Sequence, residues 1–282
     1  MHALVMNVCE NTFLLKLFKL SSEMAGGIFI EGLYSLSGKV ALVTGGGTGI
    51  GRAMAEAIAK AGASVVVSAR RKELLVQTVE QITELGGRCN FVSADLSYAK
   101  HIPELVEQVS TSFGPPDILV NAAGVNSRES AENITLESWD KTLAINLRTP
   151  FFLAQSLFPE MCRKGWGRII NLASLQSRRA FSNGLAYGAS KGGVDQLTRA
   201  MAEAWSKHGI GCNAIAPGFF PTELTSSIFN DSERASRNAA QTAIGRNGEL
   251  SDLEGITVFL ASSASDYITG QTIYVDGGFT AK

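Results

Sequence analysis

The stretch Lys39-Val40-Ala41-Leu42-Val43-Thr44-Gly45-Gly46-Gly47-Thr48-Gly49-Ile50-Gly51 decides the fold. An almost unbroken apolar run from Lys39 to Thr44 enters a glycine-rich turn, and an alanine-rich helical pattern follows from about Ile50 to Ala61. A strand that is apolar at successive positions is buried on both faces, the mark of a parallel sheet covered by helices. The glycines let the backbone bend sharply and approach a pyrophosphate. Free N–H groups and the dipole at the helix N-terminus favour that charge. The spacing is G-x-x-x-G-x-G rather than the commoner G-x-G-x-x-G.

The same alternation continues along the chain. Further strands are expected over 64–68, 88–94, 118–120, 168–172, 210–215 and 272–275, with helices over 72–85, 102–113, 136–162, 186–207 and 253–261. Strand–helix alternation with right-handed crossovers predicts an α/β, doubly wound Rossmann fold: a mostly parallel seven-stranded sheet with helices on both faces, in a single domain over 36–282. Residues 219–249 show weak periodicity and are long enough for a substrate lid. Residues 1–35 read as a flexible N-terminal extension. Lysines interrupt the apolar stretch from Thr12 to Leu20, which suits neither a secretory signal nor a membrane span, and Met24 is an alternative start.

Composition excludes several classes. Of 282 residues, 45% are hydrophobic and 18% charged, with a formal net charge of -1, as in an ordinary globular protein. No basic run suits a nucleic acid, so a small, roughly neutral molecule is the expected partner. Cys9, Cys89, Cys162 and Cys212 are scattered without a CxxC pair and read as reduced. His2, His101 and His208 stand apart from any Cys or Glu at ligand spacing, so no metal site is expected.

The end of the second strand reads Ser68-Ala69-Arg70-Arg71, without a carboxylate. An acid there would bond the ribose 2′-hydroxyl of NAD, whereas an arginine suits the 2′-phosphate of NADP. NADP is therefore the preferred cofactor, with NAD possible. Asp95 and Asn121-Ala122-Ala123-Gly124 also follow strands, at the carboxyl edge where open α/β sheets bind ligands.

Tyr187 and Lys191 are four apart on one helical face. Bringing a phenol from its usual pKa to about 7.5 needs roughly 3.4 kcal/mol. An ammonium at ~4 Å supplies ~4 kcal/mol at an effective dielectric of 20, so one lysine together with the positive charge of an oxidised nicotinamide is sufficient in scale. Ser174, just past the strand ending at Leu172, can hold a carbonyl oxygen beside the tyrosine. Asn146 is a polar residue in an apolar helical stretch, and a satisfied helix-kink role is the alternative reading.

Together Thr44-Gly45-x-x-x-Gly49-x-Gly51, Asn121-Ala122-Ala123-Gly124, Asn146, Ser174, Tyr187-x-x-x-Lys191, Pro217-Gly218 and Val275-Asp276-Gly277-Gly278 resemble the short-chain dehydrogenase/reductase family in order and spacing. The resemblance implies a catalytic tetrad of Asn146, Ser174, Tyr187 and Lys191. Asn146 would hold a water that relays protons through Lys191, and Lys191 would also bind the nicotinamide ribose. It further implies cofactor contacts from Thr44, Gly45, Gly47, Thr48, Gly49, Ile50 and Gly51 in the turn, and from Arg70, Arg71, Asp95 and Leu96. Asn121, Ala122, Ala123, Gly124, Tyr187, Lys191, Pro217, Gly218, Phe220 and Thr222 complete that set. The chain departs from the family at Ala122, where a second asparagine is frequent, and at Thr48, where many NADP-using members carry a basic residue.

The implied reaction interconverts a secondary alcohol and a ketone. The chain is similar to gluconate 5-dehydrogenase-like members, which act on sugar acids and polyols. Arg128, Arg178 and Arg179 stand in the polar segments that bracket the expected pocket, where an arginine could bind a carboxylate. A 3-oxoacyl-[acyl-carrier-protein] reductase is the alternative and would need a basic patch at the entrance. A catalytically silent NADP-binding regulatory module is disfavoured by the complete Asn-Ser-Tyr-Lys set. Members are commonly homotetramers, and a cytoplasmic location is expected.

Overall fold

The structure is a computed structural model in which residues 29–282 are described. The readings of residues 1–28, including the alternative start and Cys9, lie outside the described residues. Residues 29–34 form a short helix in a unit of the chain that ends at Ser35, and Leu36–Lys282 form a second compact unit.

In the second unit seven strands alternate with helices. These are β1 (Val40–Thr44), α1 (Gly49–Lys60), β2 (Ser64–Ala69), α2 (Lys72–Glu84), β3 (Arg88–Ser93), α3 (Ile102–Phe113) and β4 (Ile118–Asn121). There follow α4 (Leu136–Leu143), α5 (Thr149–Lys164), β5 (Gly167–Leu172), α6 (Leu185–Trp205) and β6 (Ile210–Pro217). The chain ends with α7 (Ser226–Phe229), α8 (Ser232–Gln241), α9 (Glu254–Ala261) and β7 (Thr272–Val275). The strands form one sheet in the order β3-β2-β1-β4-β5-β6-β7. Every adjacent pair is parallel: Val43, for instance, pairs with Val67 on one side and Val120 on the other.

Successive side chains of a strand point to opposite faces, and both faces are covered. Ala41 and Val43 of β1 join Met54 and Ile58 of α1 and Leu260 of α9 in one apolar cluster. Leu42 joins Leu105 and Val109 of α3, Leu153 and Leu157 of α5 and Met201 of α6 in the other. Each such leucine or isoleucine, fully buried, contributes about 1.5–3 kcal/mol. The central strands therefore read as continuous apolar runs, whereas the edge strands β3 and β7 are only partly buried.

The expected long helix over 136–162 is interrupted. Between α4 and α5 the chain makes a π-helical turn over Ala144–Arg148, and the Thr149 amide bonds back to Ala144. Pro150 explains the break: it has no N–H to give to the carbonyl four residues earlier, that of Asn146. The Thr149 hydroxyl fixes the new register by donating to Leu96 O at 2.7 Å.

The expected lid region contains structure of its own. α7 and α8 lie within it, and the Asp231 side chain caps α8 by accepting from the amides of Glu233 and Arg234. No residue of α8 is buried, which accounts for the weak apolar periodicity. Among the described residues no helix is long and apolar enough to cross a membrane.

Candidate active site

Loops leaving the carboxyl ends of β1 to β6 converge on a cavity of about 740 Å³. Its nucleotide-like end is the glycine turn. Gly45 has φ +69°, and a Cβ there would lie 2.8 Å from the backbone of both Ala122 and Ala123. A Cβ on Gly51 would lie 2.3 Å from Gly45 O. Larger side chains would therefore push β1, β4 and α1 apart. Thr48 precedes α1 without making a side-chain cap bond, which leaves the first-turn amides available to an anion. The cradle fits the phosphates of a dinucleotide.

Of the sequence-predicted cofactor residues, Gly45, Gly47, Thr48, Gly49, Ile50 and Gly51 border the cavity, as do Arg70, Arg71, Asp95 and Leu96. Ala122, Ala123, Gly124, Pro217, Gly218, Phe220 and Thr222 also line it. Asp95 accepts from the Ser97 amide at 2.9 Å and the Ser97 hydroxyl at 2.7 Å. Desolvation opposes its charge, but these bonds, with Arg70 and His101 nearby, hold it below the usual carboxylate range.

Thr44 and Asn121 are not brought to the cavity wall. The Thr44 hydroxyl accepts from the Ala123 amide at 3.2 Å and donates to Val120 O at 3.3 Å, tying the ends of β1 and β4. The buried Asn121 amide donates to Asn171 Oδ1 at 2.9 Å, within the sheet. Both residues sit at the expected strand ends, but their side chains hold neighbouring strands.

The chemical end is built from β5 and α6. Ser174, just beyond β5, accepts from the Gln176 amide at 3.1 Å, so its own proton can turn toward the cavity. The Ser177 hydroxyl accepts from the Ser174 amide at 3.3 Å and donates to Lys191 O at 2.8 Å. This bridge joins the serine loop to the helix that carries Tyr187. Ser174, Tyr187 and Lys191 all line the cavity.

The electrostatics differ from the sequence expectation. Burial pushes the Tyr187 phenol above its ordinary value, opposed by Ser174 and by the charge of Arg128. Lys191 is buried too, and desolvation lowers its ammonium to about 8. Its Nζ lies 5.6 Å from the centroid of the Tyr187 ring and donates to Leu172 O. The ammonium is thus close to the phenol but directed at the strand end, and the phenol stays protonated.

Asn146 is buried outside the cavity lining. Its Oδ1 accepts from the Val125 amide at 2.9 Å, and its Nδ2 donates to Val125 O at 2.9 Å and Ser190 Oγ at 3.0 Å. Ser190 Oγ in turn donates to Tyr187 O at 2.6 Å. The side chain therefore anchors the loop after β4 to α6.

Three features were missed or only partly seen in the sequence. Phe181 and Phe219 line the cavity and pack with the buried Phe279, with ring centroids 5.6–6.2 Å apart. Arg128 lines the cavity beside Tyr187 and donates to Leu224 O of the expected lid region at 3.0 Å. Glu223, also on the cavity wall, pairs with Arg71. The acid directly after Thr222, in a segment opened by Phe219 and Phe220, was the available signal for it.

A family model described as enoyl-(acyl carrier protein) reductase matches residues 45–280. The chain is 42% identical over 250 residues to 2-dehydro-3-deoxy-D-gluconate 5-dehydrogenase of Escherichia coli (strain K12), covering 88% of this chain and 98% of that protein. It is 37% identical to gluconate 5-dehydrogenase of Gluconobacter oxydans (strain 621H), over 89% of this chain and 98% of that one. A gluconate 5-dehydrogenase from Burkholderia cenocepacia, solved in complex with NADP and tartrate, superposes with a TM-score of 0.85 at 34% identity. That likeness covers 90% of this chain and 99% of the other.

Proposed function

The chain belongs to the short-chain dehydrogenase/reductase family, and from that premise we propose that it is an NADP-preferring oxidoreductase interconverting a secondary alcohol and a ketone on a sugar acid. The carrying observation is the convergence of Ser174, Tyr187 and Lys191 on the same cavity as the glycine turn. A nicotinamide dinucleotide, when bound, supplies or accepts the hydride. The remaining chemistry falls to side chains of this chain.

In the reductive direction the Tyr187 hydroxyl gives its proton to the carbonyl oxygen, and in oxidation the phenolate takes a proton from the alcohol. Ser174 donates to the same oxygen and stabilises charge developing on it. Acid–base assistance of this kind contributes about 10² to 10⁴ in rate. Lys191, held at Leu172 O, supplies positive charge beneath the tyrosine and a group for the nicotinamide ribose. Asn146 acts by holding the loop after β4 in register with α6.

Arg128 supports an acidic substrate. Its guanidinium reaches the cavity on the Tyr187 side and has no carboxylate partner among the described residues. A planar fork of this kind suits a carboxylate held bidentately. The arginines Arg70 and Arg71, with no acid beside them on β2, support NADP over NAD. The relatives named as sugar-acid dehydrogenases agree with both points. The acyl-carrier alternative draws on the name of the matching family model.

We further infer a homotetramer in the cytoplasm. Exposed Leu136, Phe152 and Leu185 on α4, α5 and α6 offer apolar surface on the helices expected to pack between subunits. The test of the activity is a screen of gluconate-type acids, polyols and acyl thioesters, each with both reduced and oxidised NAD and NADP. A sugar acid turned over with NADP supports the proposal, and turnover restricted to acyl thioesters overturns it.

A further inference from the structure

Arg71, assigned above to the cofactor, already holds an anion. Its Nη1 lies 3.2 Å from Glu223 Oε1, and its Nη2 is in closer contact with Oε2. Glu223 opens the turn Glu223–Thr225 in the lid, so this pair joins the lid to the carboxyl end of β2. Arg71 and Glu223 both line the cavity that the glycine turn borders. One carboxylate of this segment therefore occupies the guanidinium that a 2′-phosphate would use.

We propose that Glu223 is a specificity-determining residue that competes with the cofactor 2′-phosphate for Arg71. The inference rests on the dinucleotide reading of the cavity. A guanidinium fork offers one planar pair of N–H groups to an oxyanion, and two anions placed against it repel one another. A 2′-phosphate must displace the carboxylate or share the guanidinium with it. A dinucleotide without that phosphate makes no such demand and leaves the pair in place. Glu223 thereby narrows the preference that Arg70 and Arg71 would otherwise create. Both partners are more than half exposed, at 57% and 58%, so the competition is modest in size.

The test is calorimetric titration of NADP⁺ and NAD⁺ into the full-length protein and its Glu223→Gln, Arg71→Gln and doubly substituted variants. Glu223→Gln is expected to tighten NADP⁺ binding by about two- to fivefold, the scale of an exposed ion pair, and to leave NAD⁺ binding unchanged. Arg71→Gln is expected to weaken NADP⁺, and Glu223→Gln added to it to have no further effect, since the competition acts through that guanidinium. Glu223→Gln that leaves NADP⁺ affinity unchanged, weakens it, or tightens both dinucleotides equally overturns the inference. Wild-type protein that binds neither dinucleotide overturns the cofactor reading itself, before any variant is compared.

Discussion

The Lys191 ammonium donates its hydrogen bond to the carbonyl oxygen of Leu172, the last residue of β5, and not to the phenol of Tyr187. A buried cation is thus parked on a strand end, where desolvation lowers it from 10.5 to about 8. Below pH 8 the folded and unfolded states both carry the proton, and the folded state bears the cost of the buried charge. Between about 8 and 10.5 the folded protein has released a proton that the unfolded chain still holds, so this group makes stability rise with pH. The window is worth roughly 3 kcal/mol. Chemical denaturation of wild type and Lys191→Met across that range should show wild type gaining stability relative to the variant. A constant difference would mean that the lysine is not titrating there.

Tyr187→Phe removes one hydroxyl from the cavity wall and leaves the glycine turn untouched. Turnover should fall by about 10² to 10⁴, while dinucleotide affinity measured by fluorescence titration stays within twofold of wild type. Substantial retained activity would move the proton-transfer role to another residue.

Arg128→Gln should raise KM for sugar acids by about 10- to 100-fold, the worth of a hydrogen-bonded charge, and leave KM for uncharged polyols nearly unchanged. Steady-state kinetics on an acid and its neutral analogue reads the contrast directly. An equal rise for both substrates would point instead to the guanidinium's bond to Leu224 O, and so to the lid.

Gly45→Ala combines two penalties: φ is +69°, and the added methyl would meet the backbone of Ala122 and Ala123 at 2.8 Å. A loss of about 1–3 kcal/mol should lower Tm by several degrees. Thermal unfolding checks it, with Gly38→Ala as the comparison, since that position has φ +76° and nothing within 4 Å. The difference between the two variants isolates the contact from the dihedral.

The fold was legible because parallel strands buried on both faces leave continuous apolar runs, and all seven expected strands overlap those found. The Tyr187 and Lys191 spacing was legible because helical geometry alone brings residues four apart together. The π-helical turn was not, because Leu143, Ala144, Ile145 and Leu147 satisfy a helical apolar pattern whichever register the backbone takes. Pro150 was the available clue. Thr44 and Asn121 stand at the right strand ends, but motif spacing carries no information about which way a side chain turns at the last residue of a strand. Glu223 escaped notice because the turn Glu223–Thr225 and α8 bury no residue, so no apolar pattern marks which side chains of the segment face inward.

The strand order has a bearing on how the molecule comes into being. β1 lies between β2 and β4, so the chain must run out to the β3 edge and return before Val43 has both of its partners, Val67 and Val120. The cavity then waits for β5, α6 and the segment after β6, which follow still later in the sequence. Distant pairings of this kind close slowly. A nascent chain made as far as the loop after β4 already carries the glycine turn, Arg70, Asp95 and Gly124, whereas Ser174, Tyr187 and Lys191 are still to come, so the chemical end of the cavity is the later of the two to be completed.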